Sequence, residues 1–180
     1  IKASRAEGKR LLKEAGVNLN FELHNRGVDQ PYKVVGTWLM DQWKKGYGAQ
    51  AKQRVQPSPQ FYATLRKKKD FDVSIDFNCQ SVINPIADIT KFLSSAGNNY
   101  AAGGDAKADA IYNKLLRSAD PKEQRALIRQ YEKRVIDDAM VAAITLWWYK
   151  INPHRSYVKG WKIAPSHYLN QHLDNVWLEK

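Results

Sequence analysis

The sequence predicts an α/β fold, a mainly parallel sheet layered with helices, from three observations. Helical and strand-like periods alternate at short intervals through the first half of the 180 residues, an order that calls for right-handed crossovers between parallel strands. Within residues 71–78, Phe71, Val73, Ile75 and Phe77 alternate strictly with Asp72, Ser74, Asp76 and Asn78, the period of two that marks a half-buried strand. Residues 144–151, ITLWWYKI, are almost uninterruptedly apolar, as expected of a strand inside a sheet rather than on its edge.

Taken in order, residues 5–15 read as a helix stopped by Gly16, and Leu19, Phe21 and Leu23 alternate with Asn20 and Glu22 as a first strand. Asp29 is expected to cap a helix over about residues 31–45 that buries Val35, Trp38, Leu39 and Trp43 on one face, with Gly46 and Gly48 ending it. A second strand is expected at residues 49–55, its polar Gln50, Lys52 and Arg54 outward. Ser58-Pro59 then opens a short helix burying Phe61, Tyr62 and Leu65 before the strand at 71–78.

After a Gly- and Asn-rich loop at 94–105 the pattern turns helical. Ala108, Ile111, Tyr112 and Leu115 form one stripe. Asp120-Pro121-Lys122-Glu123 marks another helix start, with a capping Asp, Pro at the first helical position and Glu in the capping-box position. Leu127, Ile128, Tyr131 and Val135 are its expected buried face, ending near Asp138. Asn152-Pro153 stops the apolar strand, and the aromatic remainder carries Val158-Lys159-Gly160-Trp161 and a final strand at 176–178.

Hydrophobic residues make up 43% and charged residues 26% of the chain, a globular composition, and no apolar run approaches the ~20 residues needed to span a bilayer. The start, IKASRAEGKRLLKEAG, has no initiator Met and already reads as a helix, so the chain is expected to be a fragment. The single Cys79 rules out an internal disulfide framework. Lys and Arg outnumber Asp and Glu by 29 to 18, for a net charge of +11. The run Arg66-Lys67-Lys68-Lys69 raises a basic nucleic-acid-binding domain as the alternative function. A solvated face is preferred, because the run ends a helix, where cations complement the macrodipole.

Catalytic patterns are absent. His24, His154, His167 and His172 lack metal-binding helical spacing, Cys79 has no neighbouring base, and there is no nucleophile elbow, phosphate loop or dinucleotide fingerprint. The expectation is a non-enzyme with neither cofactor nor metal. Asn78, Cys79, Gln80, Ser81 and Asn84 instead place small hydrogen-bonding groups just past a strand's carboxyl end, where open α/β sheets put ligands. Aromatics make up 11% of the chain, and Trp147, Trp148 and Tyr149 are consecutive. Alternation sends Trp147 and Tyr149 to one face, either into the core or toward a cleft where they touch a ligand.

In that order of patterns the chain resembles the extracellular solute-binding proteins of ABC importers in family 5, the peptide, oligopeptide and nickel class. The resemblance runs through residues 9–16 as a lead-in helix, Phe71-Asp72-Val73 with the loop to Asn84-Pro85, Asp120-Pro121 through Gln124-Arg125, the apolar strand at Ile144, and Val158-Lys159-Gly160. It implies a periplasmic-binding-protein type II-like lobe. Residues 1–157 would form the carboxyl-terminal lobe and residues 158–180 a tail returning toward a missing amino-terminal lobe. It also implies capture of a small polar solute or peptide in an interlobe cleft, a periplasmic or extracellular location at the cell envelope, and a membrane permease as partner. Counted back from Pro85, the family's amine-binding aspartate falls on Ser81 and its loop tryptophan on Asn78. The expected ligand therefore lacks a free α-amino group at that position.

Overall fold

The computed structural model describes residues 2–78, 84–101, 104–140, 142–147, 151, 153–162 and 172–179. The chain divides into two compact units, Ile1–Phe77 and Asn78–Lys180.

The first unit is a β-α-β-α-β arrangement. Helix α1 (Lys2–Ala15) ends at Gly16, whose φ of 60° lies in the left-handed region, and leads to strand β1 (Asn20–Arg26). A five-residue π-helical turn (Asp29–Lys33) runs into helix α2 (Val34–Tyr47), closed by Gly48. Strand β2 (Gln50–Gln56), helix α3 (Ser58–Ala63), a second π-turn (Thr64–Lys68) and strand β3 (Val73–Ser74) follow. All pairing is parallel, in the order β2-β1-β3, with Asn20 opposite Gln50 and Leu23 opposite Val73. The expected α/β class with a parallel sheet is what the first unit has.

Because side chains alternate along β1, its two faces meet different helices. Phe21 packs edge-on against Trp43 of α2, with ring centroids 5.4 Å apart, while His24, on the other face, lies 4.8 Å from Phe61 of α3. Leu23, Phe61 and Leu65 are completely buried. Gly36 lets α2 approach the sheet: a Cβ there would lie 2.6 Å from Gln53 Nε2 and 3.4 Å from Leu23 Cδ2.

Three expectations for this unit change. Asp29 does not cap α2, because Gln30, which precedes Pro31, is extended (φ −113°, ψ 134°), as residues before proline are. The Asp29 carboxylate accepts from Lys33 Nζ instead. Trp38 is 53% exposed, and Gly36 takes the buried position on that face. The strand expected over 71–78 pairs only at Val73–Ser74, with one further bond from Ile75 N to His24 O at 3.0 Å. As an edge strand it has a hydrogen-bonded neighbour on one side only, and Phe77 packs toward Tyr32, ring centroids 6.1 Å apart.

In the second unit a short helix α4 (Pro85–Asp88) and a 3-10 turn (Ile89–Phe92) cover a helical hairpin of α5 (Ala106–Leu115) and α6 (Pro121–Lys133), the latter extended by a π-turn (Arg134–Asp138). Ala108, Tyr112, Leu115, Leu127, Tyr131 and Val135 form the core, with Ile86, Ile89, Phe92 and Leu93 packed on it. The two helical stripes read from the sequence supply this core.

The start of α6 is capped by Asp120 as expected, whereas Glu123, expected to complete a capping box, is bonded by Ser118 instead, and Asp105 adds a cap to α5 that the sequence reading did not name. Asp120 accepts from Lys122 N at 3.0 Å, and Asp105 accepts from Ala108 N at 2.7 Å. Glu123 accepts from Ser118 Oγ at 2.6 Å. Asp105 has a second role: Arg134 grips it with both a 2.9 Å and a 2.5 Å bond, tying the start of α5 to the end of α6. That guanidinium, helped by the Ala108 amide, lowers the Asp105 carboxyl from 3.8 to about 2. Tyr131 donates to Ile89 O at 3.0 Å, and burial pushes its hydroxyl up to about 12.

The final two strands, β4 (Val158–Lys159) and β5 (Trp177–Leu178), pair antiparallel. Gly160, at φ 76°, closes against Asn175, whose carbonyl oxygen would lie 1.9 Å from a Cβ at that position. The strand expected over 144–151 is not seen among the described residues. Residues 144–147 and 151 have no ladder, and Ile144, Trp147 and Ile151 are 56%, 88% and 83% exposed. An apolar run becomes a central strand only when neighbours bond both its edges, and no described strand pairs with it.

Two glycines of α2 should respond oppositely to substitution. Gly46 has nothing within 4 Å of a Cβ, so Gly46→Ala should stabilise by about 0.5 kcal/mol through helix propensity. Gly36→Leu should destabilise by roughly 1–3 kcal/mol by overpacking. Urea midpoints for the two variants, displaced in opposite directions from the parent, check this.

The Asp105 carboxyl titrates lower in the folded chain than unfolded, so its stabilising effect is complete above the ordinary 3.8 and lost as pH falls toward about 2. Asp105→Asn keeps a capping side chain and removes the charge. It should lower the thermal midpoint at neutral pH, and the gap to the parent should close as pH approaches about 2. A gap that persists there would mean the charge is not what the variant lost.

Candidate functional site

Parallel sheets gather ligand groups at the carboxyl ends of their strands, and in the first unit that edge is marked by Arg26 closing β1, Gln56 closing β2 and residues 75–77 following β3. The Arg26 guanidinium carbon lies 4.3 Å from the centre of the Tyr32 ring, 5.1 Å from Phe77 and 5.6 Å from Tyr62, all within cation–π range. Tyr62 also donates to Asp76 Oδ1 at 3.4 Å and faces Arg66 at 5.1 Å.

The end of β1 holds an unusual run of buried polar atoms. His24 Nδ1, Asn25 Oδ1 and Arg26 Nε have no hydrogen-bond partner, whereas buried polar groups are nearly always paired. His24 is partly satisfied: Nε2 sits 2.7 Å from Gln56 Oε1, which also accepts from Thr64 Oγ1 at 3.1 Å. Burial lowers the His24 pKa, outweighing the Gln56 bond, which raises it. One ring nitrogen is thus engaged by Gln56 and the other is without a partner, near the end of the central strand.

In the second unit, Asn78 is exposed. Asn84 uses Oδ1 to accept from Ile86 N at 2.9 Å, capping α4 and leaving its amide nitrogen to offer. Four residues on, Asp88 Oδ2 is buried without a partner, and burial raises its pKa. Trp147 is exposed, on a segment with no regular structure. Cys79, Gln80, Ser81 and Tyr149 lie outside the described residues. A depression lined by Leu93, Ser95, Asp109, Tyr112 and Asn113 involves none of the candidate residues.

Sequence reasoning missed Arg26 and its rings. Tyr32, Tyr62 and Phe77 come from three separate elements and meet only in the fold, so periodicity, which places Tyr62 and Phe77 singly, carries no trace of their meeting. The available signal was a lone cation at a strand's carboxyl end, directly before Gly27. Among the described residues no group of three or more His, Cys, Asp or Glu could hold a metal, and no helix is long and apolar enough to cross a membrane.

His24 supplies a pH test. Its folded pKa is below the ordinary 6.5, so the unfolded chain binds more protons between the two values. Stability is therefore complete above 6.5 and declines as pH falls below it. His24→Gln should flatten that decline in equilibrium unfolding measured across the acidic limb. An unchanged slope would show that the ring is not the titrating group.

No protein-family model matches the sequence, and no curated protein matches it. Solved structures do. The chain is similar to the periplasmic binding protein DppA from Helicobacter pylori, solved with the peptide STSA, at 19% identity and a TM-score of 0.77, over 96% of this chain and 34% of that one. It is similar to OppA of Burkholderia pseudomallei at 18% identity and TM-score 0.71, over 98% and 35%. The murein tripeptide binding protein MppA of Escherichia coli aligns at 20% identity and TM-score 0.71, over 77% and 28%. The chain thus spans about a third of the length of these proteins, or less, and has the α/β fold of the corresponding part of periplasmic binding proteins.

Proposed function

We propose that this chain is part of the substrate-binding component of an ABC importer of the peptide, oligopeptide and nickel class, a protein that captures a peptide-like or other polar solute and delivers it to a membrane permease. The observation that supports this reading most is the likeness to peptide-binding proteins along nearly the whole chain, at a TM-score of 0.77. Residues 1–157 would then belong to one lobe and residues 158–180 to a tail that returns to a second lobe, with the solute held between lobes. The protein works in the periplasm or at the outer cell surface and is not an enzyme.

On this reading the loop from Asn78 to Asn84, with Cys79, Gln80 and Ser81, supplies hydroxyl, thiol and amide partners. Trp147 and Tyr149 supply ring faces that a sugar or a side chain can pack against. Ser81 brings no charge to an ammonium, so a solute without a free α-amino group there suits the loop best.

A site with two walls is largely lost when one wall is absent. Calorimetry should therefore show the 180-residue chain binding the solute at least about a hundredfold more weakly than the full-length protein. The solute is first identified by mass spectrometry of what co-purifies, then checked in a thermal-shift panel of di- to pentapeptides, blocked peptides and oligosaccharides. Equal affinity would put the whole site within this chain and overturn the two-lobe reading.

A further inference from the structure

We propose that Arg26 is the post for an anionic group, a carboxylate or a phosphate, on the solute this protein binds, a proposal that rests on the solute-binding reading above. The guanidinium is permanently charged and presents five N–H donors in one plane. Tyr32, Phe77 and Tyr62 lie at 4.3, 5.1 and 5.6 Å from its central carbon. Such ring contacts engage the cation through the aromatic faces and do not use its in-plane N–H donors.

Among the described residues no carboxylate pairs with Arg26, and its Nε is buried without a partner. Three other arginines meet carboxylates, and among the described arginines it is Arg26 whose Nε is buried without a partner. Arg10 pairs with Glu7 and Glu14, Arg54 with Glu22 and Asp70, and Arg134 with Asp105. Asp76, just beyond β3, takes its bond from the Tyr62 hydroxyl rather than from Arg26.

Arg26 is half-buried, and leaving its buried Nε–H donor without an acceptor is costly. Here the cost falls at the carboxyl end of the central strand, where an open α/β sheet receives ligands. The rings hold the guanidinium in place beforehand, so a planar, two-oxygen anion can be met with little further ordering. If the stack were only a structural staple, Arg26 would affect stability without affecting the choice between charged and neutral solutes.

The test is calorimetry on the full-length protein with two matched pairs: N-acetyl-trialanine against its carboxamide, and glucose 6-phosphate against glucose. For one pair the acidic member should bind about ten- to a hundredfold tighter than its neutral partner, the range of a charged hydrogen bond. The pair that shows the gap identifies carboxylate or phosphate. Arg26→Gln should erase the gap while neutral binding stays within about threefold, and Arg26→Lys should keep part of it as a point charge. Should Arg26→Gln not fold, Arg26→Lys and the shrinkage of the wild-type gap with added salt carry the same test.

Neutral members that bind as well as acidic ones, or a gap unchanged in Arg26→Gln, would overturn the anion post and leave the solute-binding reading standing. No binding of any of the four, together with no co-purifying solute by native mass spectrometry, would take down both.

Discussion

The first unit depends on β1 being hydrogen-bonded on both sides, along its length by β2 and at Leu23 and His24 by β3. A strand in that position must satisfy its backbone with β2 on one side and β3 on the other, and its side chains must then find cover on two faces at once. Phe21 and Leu23 on one face are met by α2, and His24 on the other by α3. The same constraint exposes the chemistry at the strand's end. With His24 and Asn25 buried and Arg26 half-buried in succession, one buried polar atom of each is left without a partner, a cost that a purely structural strand would avoid by using apolar residues there.

The second unit is held by different means. Its helix starts are local, each written in a few residues around Asp105 and Asp120, while the packing of α5 on α6 is supported by a non-local pair, Asp105 with Arg134. One carboxylate thus does the work of a cap and of a clasp, which is why its pKa is displaced so far. The Tyr131 bond to Ile89 does similar work for the covering segment, joining the helical hairpin to the turn that follows α4.

The two parts of the candidate site differ in how far they can be read from residues alone. The expectation for residues 78–84 rests on a local change of pattern, strand alternation giving way to Asn, Gln and Ser. Asn84 illustrates the limit of such reading, since one of its amide atoms goes to capping α4, a use that competes with ligand binding and shows only in the backbone geometry. The grouping around Arg26 has no local pattern. It joins residues at 26, 32, 62 and 77, and the contact exists because three parallel strands end together.

By itself the sequence determined the order of helices and strands in the first unit, the parallel class of its sheet, the caps at Asp120 and the apolar stripes of α5 and α6. Each rests on contacts between residues a few positions apart, where periodicity and capping chemistry act. Tertiary structure decided which apolar residues are buried. Gly36 rather than Trp38 meets the sheet, because close approach of a helix demands a missing side chain at one point. It decided the short extent of β3 as well, and the fate of residues 144–147, whose apolar pattern could not say whether a neighbouring strand would be there to bond it. A strand's existence is a property of its partners, and a half-buried cation's surroundings are a property of the elements that meet on it. Neither is recorded in the spacing of residues along one chain.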